Sequence, residues 1–165
     1  MKEEKILFSN SRGDTLCGVL HHPAKKPARG SLILCHGMES DKSSEKLLYL
    51  SRALAGRGLL TLRFDFTYVG ESSGQFSDIT YSGEADDLKS AYALVQSRQA
   101  GRTAILGSSM GGTVALLFAA REPGVAALAT VAAPVHPENF PKRVLTPKQI
   151  RQWRERALRS TTAQD

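Results

Sequence analysis

The stretch ILGSSMGGTVALLFAA, Ile105 to Ala120, decides how the rest of the chain is read. It begins as a strand-like apolar run and ends as a helix-like one, and between them stands Gly107-Ser108-Ser109-Met110-Gly111, a GxSxG. A sharp strand-to-helix turn holds its central residue in a strained backbone conformation, and small residues two before and two after relieve the crowding. Gly107 and Gly111 fill those places, so Ser109 Oγ is expected to stand above the strand ends as a nucleophile. Met110 then offers its backbone N–H at a helix N-terminus, where the partial positive charge favours a developing oxyanion.

A second donor is expected from Leu34-Cys35-His36-Gly37-Met38, where Gly37 lets the chain turn back toward the sheet so that the Met38 amide faces the same point as that of Met110. The plainer reading is a strand exit with His36 as a packing residue. A phosphate-cradling loop is excluded by spacing. Walker-type loops need a Lys before the Ser or Thr, dinucleotide loops need GxGxxG, and Gly107, Gly111 and Gly112 fit neither. No cofactor is expected, and no ligands are clustered at metal spacing.

Working outward, apolar segments alternate with helix-like ones, which predicts an α/β fold: a mostly parallel twisted sheet of about six strands with helices on both faces. Residues 6–9 and 15–21 flank Ser11-Arg12-Gly13-Asp14 and read as a hairpin. Strands follow at SLILC, LLTLRFDF, TAILG and VAALATVAA, with helices around residues 47–58, 81–96 and 110–120. In the second helix Leu88, Ala91, Tyr92 and Val95 share a face, while Glu84, Asp86 and Asp87 crowd the first turn, where the helix dipole favours them. Residues 1–140 are expected to form this core. Residues 141–165 form a basic tail whose helix, 148–158, carries Ile150, Trp153, Ala157 and Leu158 on its apolar side.

At 165 residues, 41% hydrophobic and 23% charged, the chain has the composition of one globular domain. Its net charge of +6 is that of residues 142–159, where Lys142, Arg143, Lys148, Arg151, Arg154, Arg156 and Arg159 stand against Glu155 alone. The remainder is neutral overall, so the argument for a nucleic-acid partner fails. No apolar run reaches bilayer length and MKEEKILFSN does not read as a signal peptide, so no membrane span and a cytoplasmic setting are expected. Cys17 and Cys35 sit in strand-like segments and read as buried, reduced thiols. His21 and His22, beside Pro23, read as surface residues.

A serine nucleophile needs a histidine base, usually oriented by a carboxylate. Downstream of Ser109 the only histidine is His136, and the carboxylates are Glu122, Glu138, Glu155 and Asp165. His136 follows the last strand and is the one base candidate, with Glu138 as a conceivable partner; a turn residue between Pro134 and Pro137 is the reading its neighbours favour. Asp65, at a strand end, reads as a structural hydrogen-bonding residue near Arg63.

LCHGM (34–38), LRFDF (62–66), the GxSSG at 70–74, the run Gly74, Phe76, Thr80, Glu84 and Asp87, and GSSMGG (107–112) together resemble an alpha/beta hydrolase of the serine aminopeptidase-like or cinnamoyl/feruloyl esterase type. The resemblance spans about Phe8 to Trp153. It implies Ser109 as nucleophile and Met38 and Met110 as oxyanion-hole amides, acting on a small ester or amide. Ser108 departs from the family, which often has His there, and so does Val69. The resemblance also implies a longer sheet, with the acid and then the base after strands missing here; PENFPKRVLTPKQIRQWRE resembles the entry to a cap. A truncated C-terminal part is therefore expected, leaving an unpaired strand edge prone to self-association. The implied activity is hydrolysis of small carboxylic esters through an acyl-enzyme, impaired for want of acid and His. Peptidase or thioesterase chemistry, or an inactive hydrolase-like module, are the alternatives.

Overall fold

Successive side chains of a strand point to opposite faces of its sheet. In SLILC both sets are apolar, so this strand must be covered on both sides. In the computed structural model, which describes residues 2–25, 27–99, 101–139, 145–152 and 155, it is. The elements are β1 (Lys2–Ser9), β2 (Thr15–His22), β3 (Ser31–Cys35), α1 (Glu45–Gly56), β4 (Leu60–Phe64), α2 (Tyr81–Arg98), β5 (Thr103–Ser108), α3 (Met110–Ala119) and β6 (Val125–Val131). They make one six-stranded sheet in the order β1-β2-β4-β3-β5-β6. Strands β3 to β6 run parallel, and the β1–β2 hairpin joins antiparallel through β2.

The two faces close separately. Leu32 and Leu34 of β3 pack with Ala104 and Leu106 of β5 against Leu47, Leu50 and Leu54 of α1. Ile33, Cys35 and Ile105 point the other way, into a larger core with Leu88, Ala91 and Val95 of α2 and Val114, Ala115 and Phe118 of α3. Each large apolar side chain fully buried here contributes about 1.5–3 kcal/mol. From β3 the chain steps to β4 on one side and then to β5 on the other, so the strand order reverses at β3. In open α/β sheets the crevice beyond such a reversal, at the carboxyl ends of the strands, is where ligands bind.

Two sequence expectations are corrected. His21 is fully buried, because β2 lies between β1 and β4 and its end is interior; Nε2 accepts from Arg63 Nε at 2.9 Å. Burial and the neighbouring Arg63 charge push its pKa down to about 4. In α2, Glu84 and Asp87 do not ride on the dipole in solvent but are buried. Asp87 accepts from Asn10 Nδ2 at 2.8 Å, Arg12 Nη2 at 2.9 Å and the Thr67 N–H at 2.8 Å, tying the hairpin and the post-β4 loop to the helix.

Glu84 has no such network: its Oε1 is buried without a hydrogen-bond partner. Burial, reinforced by the Asp87 charge, raises its pKa from 4.5 to about 8. A folded pKa above the unfolded one means stability that is full below about 4.5 and is lost as pH rises through about 8. Glu84→Gln removes this loss. Thermal melts are expected to show wild type falling behind the variant between these pH values by up to about 1.4 kcal/mol per pH unit; parallel profiles would refute the assignment.

β6 is one edge of the sheet and β1 the other. Residues 126–131 are exposed, and Leu116, Leu117, Leu128 and Val131 add apolar surface. Chain contacts define two units, Met1–Ala133 and Pro134–Asp165. Within the second, Pro137–Asn139 is a short 3-10 turn and residues 147–152 are helical. Thr146 and Gln149 cap that helix reciprocally: the Thr146 N–H donates to Gln149 Oε1 at 2.8 Å and the Gln149 N–H to Thr146 Oγ1 at 3.3 Å. Of its expected apolar side, Trp153, Ala157 and Leu158 lie outside the described residues.

Candidate active site

Among the described residues, four non-glycine residues have positive φ, and each follows the carboxyl end of a parallel strand: Glu39 after β3, Tyr68 after β4, Ser109 after β5 and Ala132 after β6. Such conformations cost of order 1–3 kcal/mol each and cluster at functional sites. Ser109 has φ 53° and ψ −122°. Its N–H donates to the Val131 carbonyl at 2.8 Å, and its own carbonyl accepts from the Gly112 N–H at 2.8 Å. Ser109 is thereby clamped between the β6 edge and the first turn of α3, exposed, while Ser108 and Met110 on either side are buried.

The glycines around it are required by contact. A Cβ on Gly107 would meet the Gly111 carbonyl oxygen at 2.2 Å, and one on Gly111 would meet the His36 carbonyl oxygen at 2.2 Å. A Cβ on Gly37 would lie 3.2 Å from Ser109 Cβ and 3.8 Å from its Oγ, so the turn after β3 passes directly beside the serine. Met38, next in that turn, is 57% exposed, whereas Met110 is 5% exposed and opens α3. The first amides of a helix have no intrahelical acceptor. The fold thus brings Ser109, Met110 and the Gly37–Met38 turn to one place, over the switch point.

His36 fixes that turn. Its Nε2 accepts from the Phe66 N–H at 3.2 Å, so Nδ1 carries the proton and donates to the Gly37 carbonyl at 2.8 Å. Burial holds its pKa below the usual histidine value, and with both nitrogens engaged it remains a neutral brace. Asp65 braces the neighbouring loops. It accepts from Lys42 Nζ at 2.6 Å, the Lys42 N–H at 2.7 Å and the Glu71 N–H at 2.9 Å. The partner is therefore Lys42 and not Arg63, which donates instead to His21 and to the Lys42 carbonyl. Cys17 and Cys35 are free, buried thiols, as their segments imply.

One contact at the elbow was missed in the sequence: Lys46 Nζ donates to Ser108 Oγ at 2.5 Å. Strand parity carried the signal, since Ser108 shares the face of Ala104 and Leu106, which is the α1 side. His22 bonds Glu4 at 2.8 Å. His136 belongs to the second unit, where its carbonyl accepts from the Asn139 N–H at 3.1 Å. Among the described residues no group of three or more His, Cys, Asp or Glu could hold a metal ion, and no helix is long and apolar enough to cross a membrane.

A reversing α/β sheet with a strained serine between β5 and α3 defines the alpha/beta hydrolases. The chain belongs more particularly to the hydrolase family of serine aminopeptidase S33, whose model matches residues 26–164. It is similar to the alpha/beta hydrolase GrgF of Penicillium sp., with 27% identity and a TM-score of 0.74 over 81% of this chain and 46% of that one. An alpha-beta serine hydrolase homologue of Coxiella burnetii gives 28% identity and 0.72 over 85% and 67%. A hypothetical protein of Pseudomonas aeruginosa gives 22% and 0.82 over 98% and 54%, a likeness of fold. The chain thus spans between 46% and 67% of the lengths of these three structures. No curated protein matches it.

Proposed function

We propose that the chain is a serine hydrolase of small carboxylic esters, acting through an acyl-enzyme on Ser109. The observation that carries this reading is the positive-φ, exposed Ser109 beside the Gly37–Met38 turn. Ser109 Oγ attacks the ester carbonyl, the alcohol leaves, and water later releases the acid. The amides of Met38 and Met110 hold the oxyanion. Ester substrates follow from the resemblance to esterases, with peptide or thioester substrates as the alternatives. Two buried free thiols suit the reducing, cytoplasmic setting that goes with this reading.

The reaction is slow in this chain, because no histidine of the first unit is poised to take the serine proton: His21 and His36 are buried and His22 is paired with Glu4. His136 remains the one base candidate, and the same observation favours the second reading, an inactive hydrolase-like module. Turnover of an aryl ester that is lost in Ser109→Ala supports the enzyme; turnover that persists in this variant overturns it.

The exposed β6 edge suits self-association with a second copy of the chain. Size-exclusion chromatography with light scattering is expected to give a dimer. A monomer that binds no hydrophobic dye would count against it.

A further inference from the structure

Lys46 is oddly placed for a surface lysine. It sits in the first turn of α1, where the helix dipole disfavours a cation. Among the described residues it bonds no carboxylate, only the hydroxyl of Ser108, which is 6% exposed. Holding a long, flexible side chain on a neutral hydroxyl at a disfavoured helix position gains little stability. Its location is what distinguishes it. Ser108 directly precedes Ser109 on one side of the elbow, and Met110 follows on the other.

We propose that Lys46 is a positioning residue for the elbow: through Ser108 it holds a positive charge beside Ser109, favouring the alkoxide and the oxyanion that acyl transfer creates. This rests on Ser109 being the nucleophile. Chain geometry puts the ammonium within about 10 Å of Ser109 Oγ. At that range a unit charge near the surface changes the rate of an anion-forming step by about three- to tenfold, and salt screens it. The charge complements the helix N-terminus at Met110 and stands in no hydrogen bond to substrate. It acts without taking up a proton.

The test is the rate at which a fluorophosphonate modifies the full chain. In that step a Ser109 Oγ–P bond forms, the P–F bond breaks, fluoride leaves and the hydroxyl proton passes to water. Lys46→Met is expected to label about three- to tenfold more slowly and to move the alkaline rise of the pH–rate profile upward. Lys46→Arg is expected to keep most of the rate. Wild-type labelling is expected to slow between about 0.01 M and 1 M salt while Lys46→Met does not. Labelling of Lys46→Met at the wild-type rate overturns the inference and leaves the nucleophile standing. So does a loss that is indifferent to salt and not restored by arginine, which would make Lys46 a packing residue. No labelling of wild-type Ser109 overturns both.

Discussion

Mixed with an activated aryl ester, the wild-type chain is expected to release about one equivalent of phenol per chain and then nearly stall, while Ser109→Ala releases none. Both halves of an acyl-transfer cycle need a base, first to deprotonate the serine and then to activate water. Without a poised histidine each half is slowed, and the acyl-enzyme of a good leaving group accumulates. Supplying the base from solution should reverse this. Added imidazole is expected to raise wild-type turnover in proportion to its free-base concentration, beyond the increment seen in Ser109→Ala, which measures imidazole's own attack on the ester. An equal increment in both proteins would mean that Ser109 does not handle the acyl group. Full turnover without imidazole, abolished in His136→Ala, would show that the second unit supplies the base.

Gly111→Ala is expected to be strongly destabilising. Its added methyl would sit 2.2 Å from the His36 carbonyl oxygen and 2.7 Å from that of Cys35, both backbone atoms at the end of a buried central strand that cannot give way. Overpacking against backbone costs about 3 kcal/mol or more, which lowers Tm by about 6–12 °C in a chain of this size. Gly56→Ala is the control. It ends α1 with open space where the Cβ would go, and gains about 0.5–1 kcal/mol from helix propensity. Equal melts for Gly111→Ala and wild type would mean that α3 does not press on the β3 exit as described.

The order of elements was legible because local chemistry sets it. The apolar runs at 31–35 and 103–107, the turn at Ser11 to Asp14 and the glycine-bracketed Ser109 each carry their own signal within a few residues. Glycine spacing likewise announced the elbow, since a strained strand-to-helix turn leaves no room for a Cβ at Gly107 or Gly111. Burial of polar groups was not legible. His21 stands at a strand end beside a proline, and Glu84 and Asp87 stand where solvent-facing acids are favoured; nothing nearby announces that β2 is an interior strand or that α2 turns these acids inward.

The sequence by itself determined the α/β alternation, the hairpin and the strained serine, because backbone sterics and the period of apolar residues act over short range. Only the tertiary structure decided what surrounds that serine. The Gly37–Met38 turn beside its Oγ, the His36 brace, the Lys42–Asp65 pair and the reach of Lys46 to Ser108 join residues far apart in the chain. Those contacts follow from the strand order reversing at β3, which sets the ends of β3 and β5 side by side.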